Sequence, residues 1–88
     1  MAFLNNYKGM AVFDGTSQTL EGKQLINTAV WMGYSSGNEL AVESDGVEVA
    51  RVSAGANGKI ELPQLCGYWA DDLTVTVIGG GKLYVHYA

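Results

Sequence analysis

Apolar and polar residues alternate along short segments of this chain, and glycine-containing pairs separate the segments. The clearest example is residues 39–53, where alternation runs up to Asp45-Gly46 and resumes directly after it. Alternation is the period of a β-strand with one buried face. Asp-Gly suits a two-residue hairpin turn because both turn positions take a positive φ. The pattern therefore predicts a β-hairpin over residues 39–53.

A second hairpin is predicted at the end of the sequence, where residues 72–78 and 82–88 flank Gly79-Gly80-Gly81. Glycine adopts the backbone angles of tight turns without steric cost. Alternation assigns one face of these two strands to Leu73, Val75, Val77, Leu83, Val85 and Tyr87. The other face carries Thr74, Thr76, Tyr84 and His86, which we expect to be half-exposed or at an interface.

The pattern of residues 23–34 predicts a long strand, either continuous or broken by a bulge. This strand is apolar on both faces. One face carries Leu25, Ala29 and Trp31, and the other carries Ile26, Val30 and Met32. A strand of this kind is either sandwiched or covered by another molecule. Shorter strands are predicted at residues 10–13, 16–20 and 59–62, with breaks at Asp14-Gly15, Glu21-Gly22 and Asn57-Gly58 and an end at Pro63.

These segments together predict one all-β domain over residues 1–88. About six or seven short strands form a small antiparallel β-sandwich or a partly open barrel. Residues 1–9 allow two interpretations, a short helical turn or an N-terminal arm that carries Phe3, Leu4 and Tyr7 onto a neighbouring molecule. No signal peptide and no apolar run of about 18 residues is visible, so we expect a protein made in a cytoplasm and not inserted in a membrane.

Composition adds an excess of apolar surface to this picture. Hydrophobic residues make up 48% of only 88 residues, and charged residues make up 16%, against about 25% in a typical protein. So small a domain has little interior, which predicts self-association or docking on a larger partner. The net charge is −4, and the cations Lys8, Lys23, Arg51, Lys59 and Lys82 are isolated in sequence. Nucleic acid is therefore not an expected partner.

The sequence offers no set of residues for catalysis, a metal or a cofactor. His86 and Cys66 are the only residues of their types, too few for a zinc site within one chain. A Cys–His pair would need the fold to bring them together with a third, orienting group. We expect Cys66 to be a small buried side chain. Gly79-Gly80-Gly81 precedes a strand, whereas a phosphate-binding loop opens a helix.

The aromatic residues have two interpretations. These residues are Trp31, Tyr34, Tyr68 and Trp69. They belong either to the core or a protein interface, where such side chains are enriched, or to a platform that stacks sugar rings. Tyr68 and Trp69 follow Gly67 in a predicted loop, which favours their exposure. The first interpretation is favoured. The predicted interface residues are Phe3, Leu4, Tyr7, Trp31, Tyr34, Tyr68, Trp69 and Tyr84.

Two segments in the C-terminal third resemble small virion proteins of tailed bacteriophages. They are LPQLCG at residues 62–67 and the closing LTVTVIGGGKLYVHYA. Decoration (cement) and head-fibre proteins of this kind are β-sandwiches that end in a glycine-rich hairpin with an L-x-V-x-Y strand, matched here by Leu83, Val85 and Tyr87. The resemblance implies a capsid-bound protein, commonly trimeric, that bridges neighbouring capsomers. It implies no catalytic residues.

The leading hypothesis is therefore a non-enzymatic virion protein: a capsid decoration subunit that self-associates, with a trimer favoured, and binds the major capsid protein. It takes no cofactor and no small-molecule substrate. The first alternative is a carbohydrate-binding module of a tail or adhesion apparatus, using Trp31, Tyr34 or Trp69. The second is an accessory domain of a bacterial enzyme complex.

Overall fold

The computed structural model describes residues 5–7, 9–55 and 58–88, which form eight β-strands and one short 3₁₀ helix. The strands are β1 (Asn5–Tyr7), β2 (Met10–Phe13), β3 (Gln18–Met32), β4 (Glu39–Ser44), β5 (Val47–Ser53), β6 (Lys59–Glu61), β7 (Trp69–Ile78) and β8 (Lys82–Tyr87). The 3₁₀ helix covers Pro63–Leu65. The predicted all-β class is confirmed.

One antiparallel sheet contains these strands, in the order β1-β2-β8-β3-β7-β4-β5. The long strand β3 joins its two parts. The first half of β3 pairs with β7, whereas the second half pairs with β8 on one edge and with β6 on the other. The sheet stays open, with β1 and β5 at its ends. Part of the predicted arm, residues 5–7, is thus an edge strand.

Strand β3 corrects the prediction of two strands broken at Glu21-Gly22. These two residues form a bulge opposite Asp72, and the pairing with β7 resumes on the far side. Gly22 has a φ of 79°, and its N–H donates a 2.7 Å hydrogen bond to Asp72 Oδ1. A bulge keeps a strand continuous while bending it. The Glu-Gly pair therefore bends β3 and does not end it.

A second bulge in β3, between Ile26 and Thr28, changes which residues face the core. Ile26, Ala29 and Trp31 are all buried, with 0%, 1% and 0% exposure. The sequence placed Ile26 on the face opposite to Ala29 and Trp31, and this assignment is wrong. The extra residue in the bulge shifts the two-residue period by one position, so the apolar set changes face at that point.

The predicted C-terminal hairpin is also wrong, because β7 and β8 are not partners and β3 lies between them. Gly79-Gly80-Gly81 is a crossover from one part of the sheet to the other. Gly79 N–H donates to Glu39 O, and Gly80 O accepts a 2.9 Å hydrogen bond from the Trp31 indole. Gly81 has a φ of 73°, and a Cβ at this position would overlap Met32 O. Only glycine fits there without a shift of the backbone.

The predicted hairpin over residues 39–53 is confirmed. Strands β4 and β5 pair along their length around Asp45 and Gly46, whose φ values are 51° and 76°. Asp45 N–H donates to Asp71 O at 2.7 Å, which ties the turn to β7.

A single apolar core draws its side chains from both parts of the sheet. As predicted, Leu73 and Val75 of β7 and Leu83 and Val85 of β8 are fully buried. The largest fully buried side chains are Trp31, Phe13, Ile26, Leu40, Leu62, Leu65, Leu73 and Leu83.

Candidate functional site

Two surfaces at opposite ends of β4 combine exposed apolar groups with charge. The first, the glycine depression, has a volume of about 510 Å³ and is lined by Met32, Gly33, Gly81, Lys82 and Tyr84. It forms where the end of β3 meets the start of β8. Two of its lining residues are glycines that approach each other closely: a Cβ on Gly33 would lie 3.5 Å from Gly81 Cα.

Lysines flank the glycine depression on both sides of Met32. Met32 is opposite Lys82 of β8 and opposite Lys59 of β6. Opposed residues of antiparallel strands project from the same face of a sheet. Neither lysine forms an ion pair within the described residues. The nearest carboxylate on this face, Glu61, is opposite Val30, one step further along the sheet.

The second surface, the acidic tip, is the turn of the β4–β5 hairpin: Glu43, Asp45, Val47 and Glu48. Val47 is 64% exposed. Glu43 and Asp45 make no ion pair within the part of the chain that the structure describes. An exposed valine among carboxylates is a small apolar knob with a negative rim.

Glu48 is the one carboxylate of the tip with a cationic partner. Arg51 contacts Glu48 and Glu39 at 3.0 Å each, along the outer face of β4 and β5. The hydrogen bond to Glu48 and the negative charge of that residue raise the pKa of Arg51 above its ordinary value, and Glu39 adds to the effect. Arg51 is opposite Ala41, which is fully buried.

The two tryptophans have opposite environments. Trp31 is fully buried, donates to Gly80 O and lies against Tyr34 with ring centroids 4.6 Å apart. Trp31 is therefore a core residue, one of the two placements in the favoured interpretation, and its ring is not accessible to a partner protein or a sugar ring. Trp69 is 65% exposed at the start of β7, beside buried Ala70. It is the accessible tryptophan.

The tyrosines lie between these extremes. Tyr34 and Tyr68 are half-buried and pack against the core, and the Tyr34 hydroxyl is buried with no hydrogen-bond partner among the described groups. Tyr84 is half-buried and lines the glycine depression. Three predicted interface residues belong to the N-terminal segment. Phe3 and Leu4 lie outside the described residues, and Tyr7 belongs to edge strand β1.

Cys66 and His86 do not form a pair. Cys66 is exposed, which corrects the prediction of a buried thiol, and its Sγ lies 3.8 Å from Leu62 O. The 3₁₀ helix after Pro63 turns this residue away from the core. His86 Nδ1 lies 3.2 Å from Thr28 Oγ1. Cys66 and Thr28 border a second depression, of about 410 Å³, on the outer face of β3.

The depression was not identified from the sequence. Glu43 and Glu48, which flank Asp45-Gly46, did indicate a small acidic tip, with plain solvation as the favoured interpretation. The depression depends on β8 pairing with β3, which the glycine triplet concealed. Val47 directly follows Asp45-Gly46 in the sequence, so the predicted hairpin already placed it beside the turn.

Within residues 5–7, 9–55 and 58–88, no three His, Cys, Asp or Glu side chains cluster at metal-binding distance. Those residues also contain no helix that is long and apolar enough to cross a membrane. Comparison of the chain with protein-family models, with curated proteins and with solved structures gave no match.

Proposed function

We propose that this chain is a structural subunit of a virus particle: a capsid decoration protein that associates with itself and attaches to the major capsid protein. The exposure of Trp69, at 65%, carries the proposal. Tryptophan is strongly enriched among the side chains that anchor protein interfaces. The resemblance of the C-terminal third to phage virion proteins supports the proposal that the chain acts on a virus particle.

Trp69 is held by pairing with β3, where it is opposite Leu25. The pairing of β7 with β4 begins further along, at Thr74. An anchor whose backbone is already paired loses less conformational freedom on binding than one in an unpaired segment. A tryptophan has roughly 200 Å² to bury, so covering its exposed part contributes about 3 kcal/mol, or about a hundredfold in affinity.

The mechanism is mechanical. Each copy buries one anchor on the capsid protein, and contacts between copies link those anchors into one assembly. Joined sites bind far more tightly than single ones because the second attachment is intramolecular. A set of modest contacts thereby becomes a persistent layer on the particle.

Two measurements test the proposal. Light scattering over a hundredfold dilution should give a closed oligomer, with three times the 9.4 kDa chain mass favoured. Capsids assembled from the major capsid protein of the same phage should co-sediment with the wild type. Trp69→Ser should weaken that binding about a hundredfold, while the exposed control Gln64→Ser should leave it unchanged. Failure of the wild type to bind, or equal binding by Trp69→Ser, would overturn the proposal.

A carbohydrate-binding module remains the second candidate, and exposed Trp69 is again the observation that favours it. With Trp31 buried, a sugar ring would stack on Trp69 alone. Oligosaccharide titration should then quench tryptophan fluorescence in the wild type and not in Trp69→Ser. Quenching without capsid binding would favour this second function over the first.

A further inference from the structure

We propose that copies of this chain join head to tail, with the acidic tip of one copy seated in the glycine depression of the next. The inference rests on the proposed function, because it names the surfaces through which the subunit self-associates. A second copy is the occupant of the depression. Three observations support this assignment: the placement of the two surfaces, their charges and their apolar centres.

The tip and the depression lie at opposite ends of one strand. Strand β4 begins at Glu39, which accepts a hydrogen bond from Gly79 in the crossover beside the depression. It ends at Ser44, whose hydroxyl accepts a 2.8 Å hydrogen bond from Asp71 N–H beside the tip. Six residues of strand separate these ends by about 17 Å. A tip therefore cannot reach the depression of its own chain.

The charges of the two surfaces are complementary. Lys59 and Lys82 flank the depression without ion pairs among the described residues, and Glu43 and Asp45 are likewise unpaired at the tip. Within one copy these groups are too far apart to compensate each other. Contact between copies brings them together, and complementary charge both favours this arrangement and disfavours tip-to-tip contact.

Each of the two surfaces has an exposed apolar side chain at its centre. Val47 projects at the tip with 64% exposure, and Met32, at 38%, lies in the depression beside Tyr84. The depression is open and shallow, with a volume of about 510 Å³ and with Gly33 and Gly81 in its lining. Carboxylates around Val47 then face the lysines around Met32.

A contact between two different surfaces is heterologous, so an open chain of copies keeps a free tip at one end and a free depression at the other until a ring closes. This property separates the proposal from a two-fold dimer. Damage to the tip leaves the depression intact, and damage to the depression leaves the tip intact. Two defective variants can then still form one sound contact.

The test uses Val47→Asp in the tip and Lys82→Glu in the depression, with Gln64→Ser as control. All three positions are exposed, and circular dichroism checks that each variant folds. In light scattering, each of the first two should associate about tenfold or more weakly than the wild type. Lys82→Glu sets like charges in contact, and Val47→Asp replaces the apolar contact with Met32 by a carboxylate that loses its water. The control should match the wild type.

An equimolar mixture of Val47→Asp and Lys82→Glu provides the sharper result. The intact tip of Lys82→Glu fits the intact depression of Val47→Asp, so the mixture should form a one-to-one dimer and stop there. Variants that associate like the wild type, or a mixture that stays monomeric, would overturn the head-to-tail contact and leave self-association standing. A wild type that is monomeric at every dilution would instead overturn the self-association of the proposed function itself.

Discussion

Replacement of Gly81 by alanine tests the crossover that separates β7 from β8. A non-glycine residue at the φ of 73° found here costs about 1–2 kcal/mol. The new Cβ would also overlap Met32 O and lie 2.8 Å from Tyr34 N, both of which are backbone atoms. Relief requires a backbone shift, for about 1–3 kcal/mol more. We expect Gly81→Ala to lower the free energy of unfolding by about 2–5 kcal/mol.

Two other glycines separate the cost of a positive φ from the cost of the steric overlap. Gly37 has a φ of 89° and no atom within 4 Å of the position that a methyl group would take, so Gly37→Ala carries the backbone cost alone. Gly15 has neither a positive φ nor a neighbour, and Gly15→Ala should be neutral or stabilising by about 0.4–1 kcal/mol. The difference between Gly81→Ala and Gly37→Ala therefore measures the steric overlap.

The assay is urea unfolding followed by tryptophan fluorescence, in which buried Trp31 reports the loss of the core. All variants are compared at one protein concentration, because association stabilises the folded state by mass action. An 88-residue domain has about 4–13 kcal/mol of stability, so the effect is large. Equal losses for Gly81→Ala and Gly37→Ala would refute the close approach of the crossover to the end of β3.

Two further substitutions test buried polar groups. Trp31→Phe removes the indole N–H that bonds Gly80 O at 2.9 Å, and should cost about 2–3 kcal/mol in urea unfolding followed by circular dichroism. A loss below about 1 kcal/mol would mean that this bond contributes little. Gln18, 2% exposed, donates to Asp14 Oδ1 at 2.9 Å, so Gln18→Glu should lower the melting temperature by setting two carboxylates together. Adding Asp14→Asn to Gln18→Glu should restore most of the lost melting temperature. If the effects of the two substitutions simply add, the contact between residues 14 and 18 is contradicted.

The sequence predicted those parts of the fold that local geometry decides. The turn at Asp45-Gly46 and the buried faces around Leu73 and Leu83 follow from nearest neighbours alone. The pairing of β7 and β8 does not, because a glycine triplet permits a tight turn and a crossover equally. Strand β3 is long enough to pair with β7 along its first half and with β8 along its second half. This pairing makes the glycine triplet a crossover and not a tight turn.

The candidate site was less predictable for a related reason. Trp31 lies inside the apolar segment 23–34 and is buried, whereas Trp69 lies between Gly67 and the strand predicted at residues 72–78 and is exposed. The bulge at Ile26 and Thr28 sets the face of Trp31, and no residue in that segment marks the bulge. Exposure of a large side chain depends on such one-residue shifts, which periodicity cannot resolve.

The position of β8 has a consequence for how this chain folds during synthesis. Strand β8 is formed by residues near the end of the sequence, yet it lies between β2 and β3. A growing chain can close the β4–β5 hairpin early, but the gap between β2 and β3 stays open until residues 82–87 leave the ribosome. Pairings between distant segments are slow to form. We therefore expect the β2 edge that faces this gap to be exposed to aggregation until β8 pairs with it.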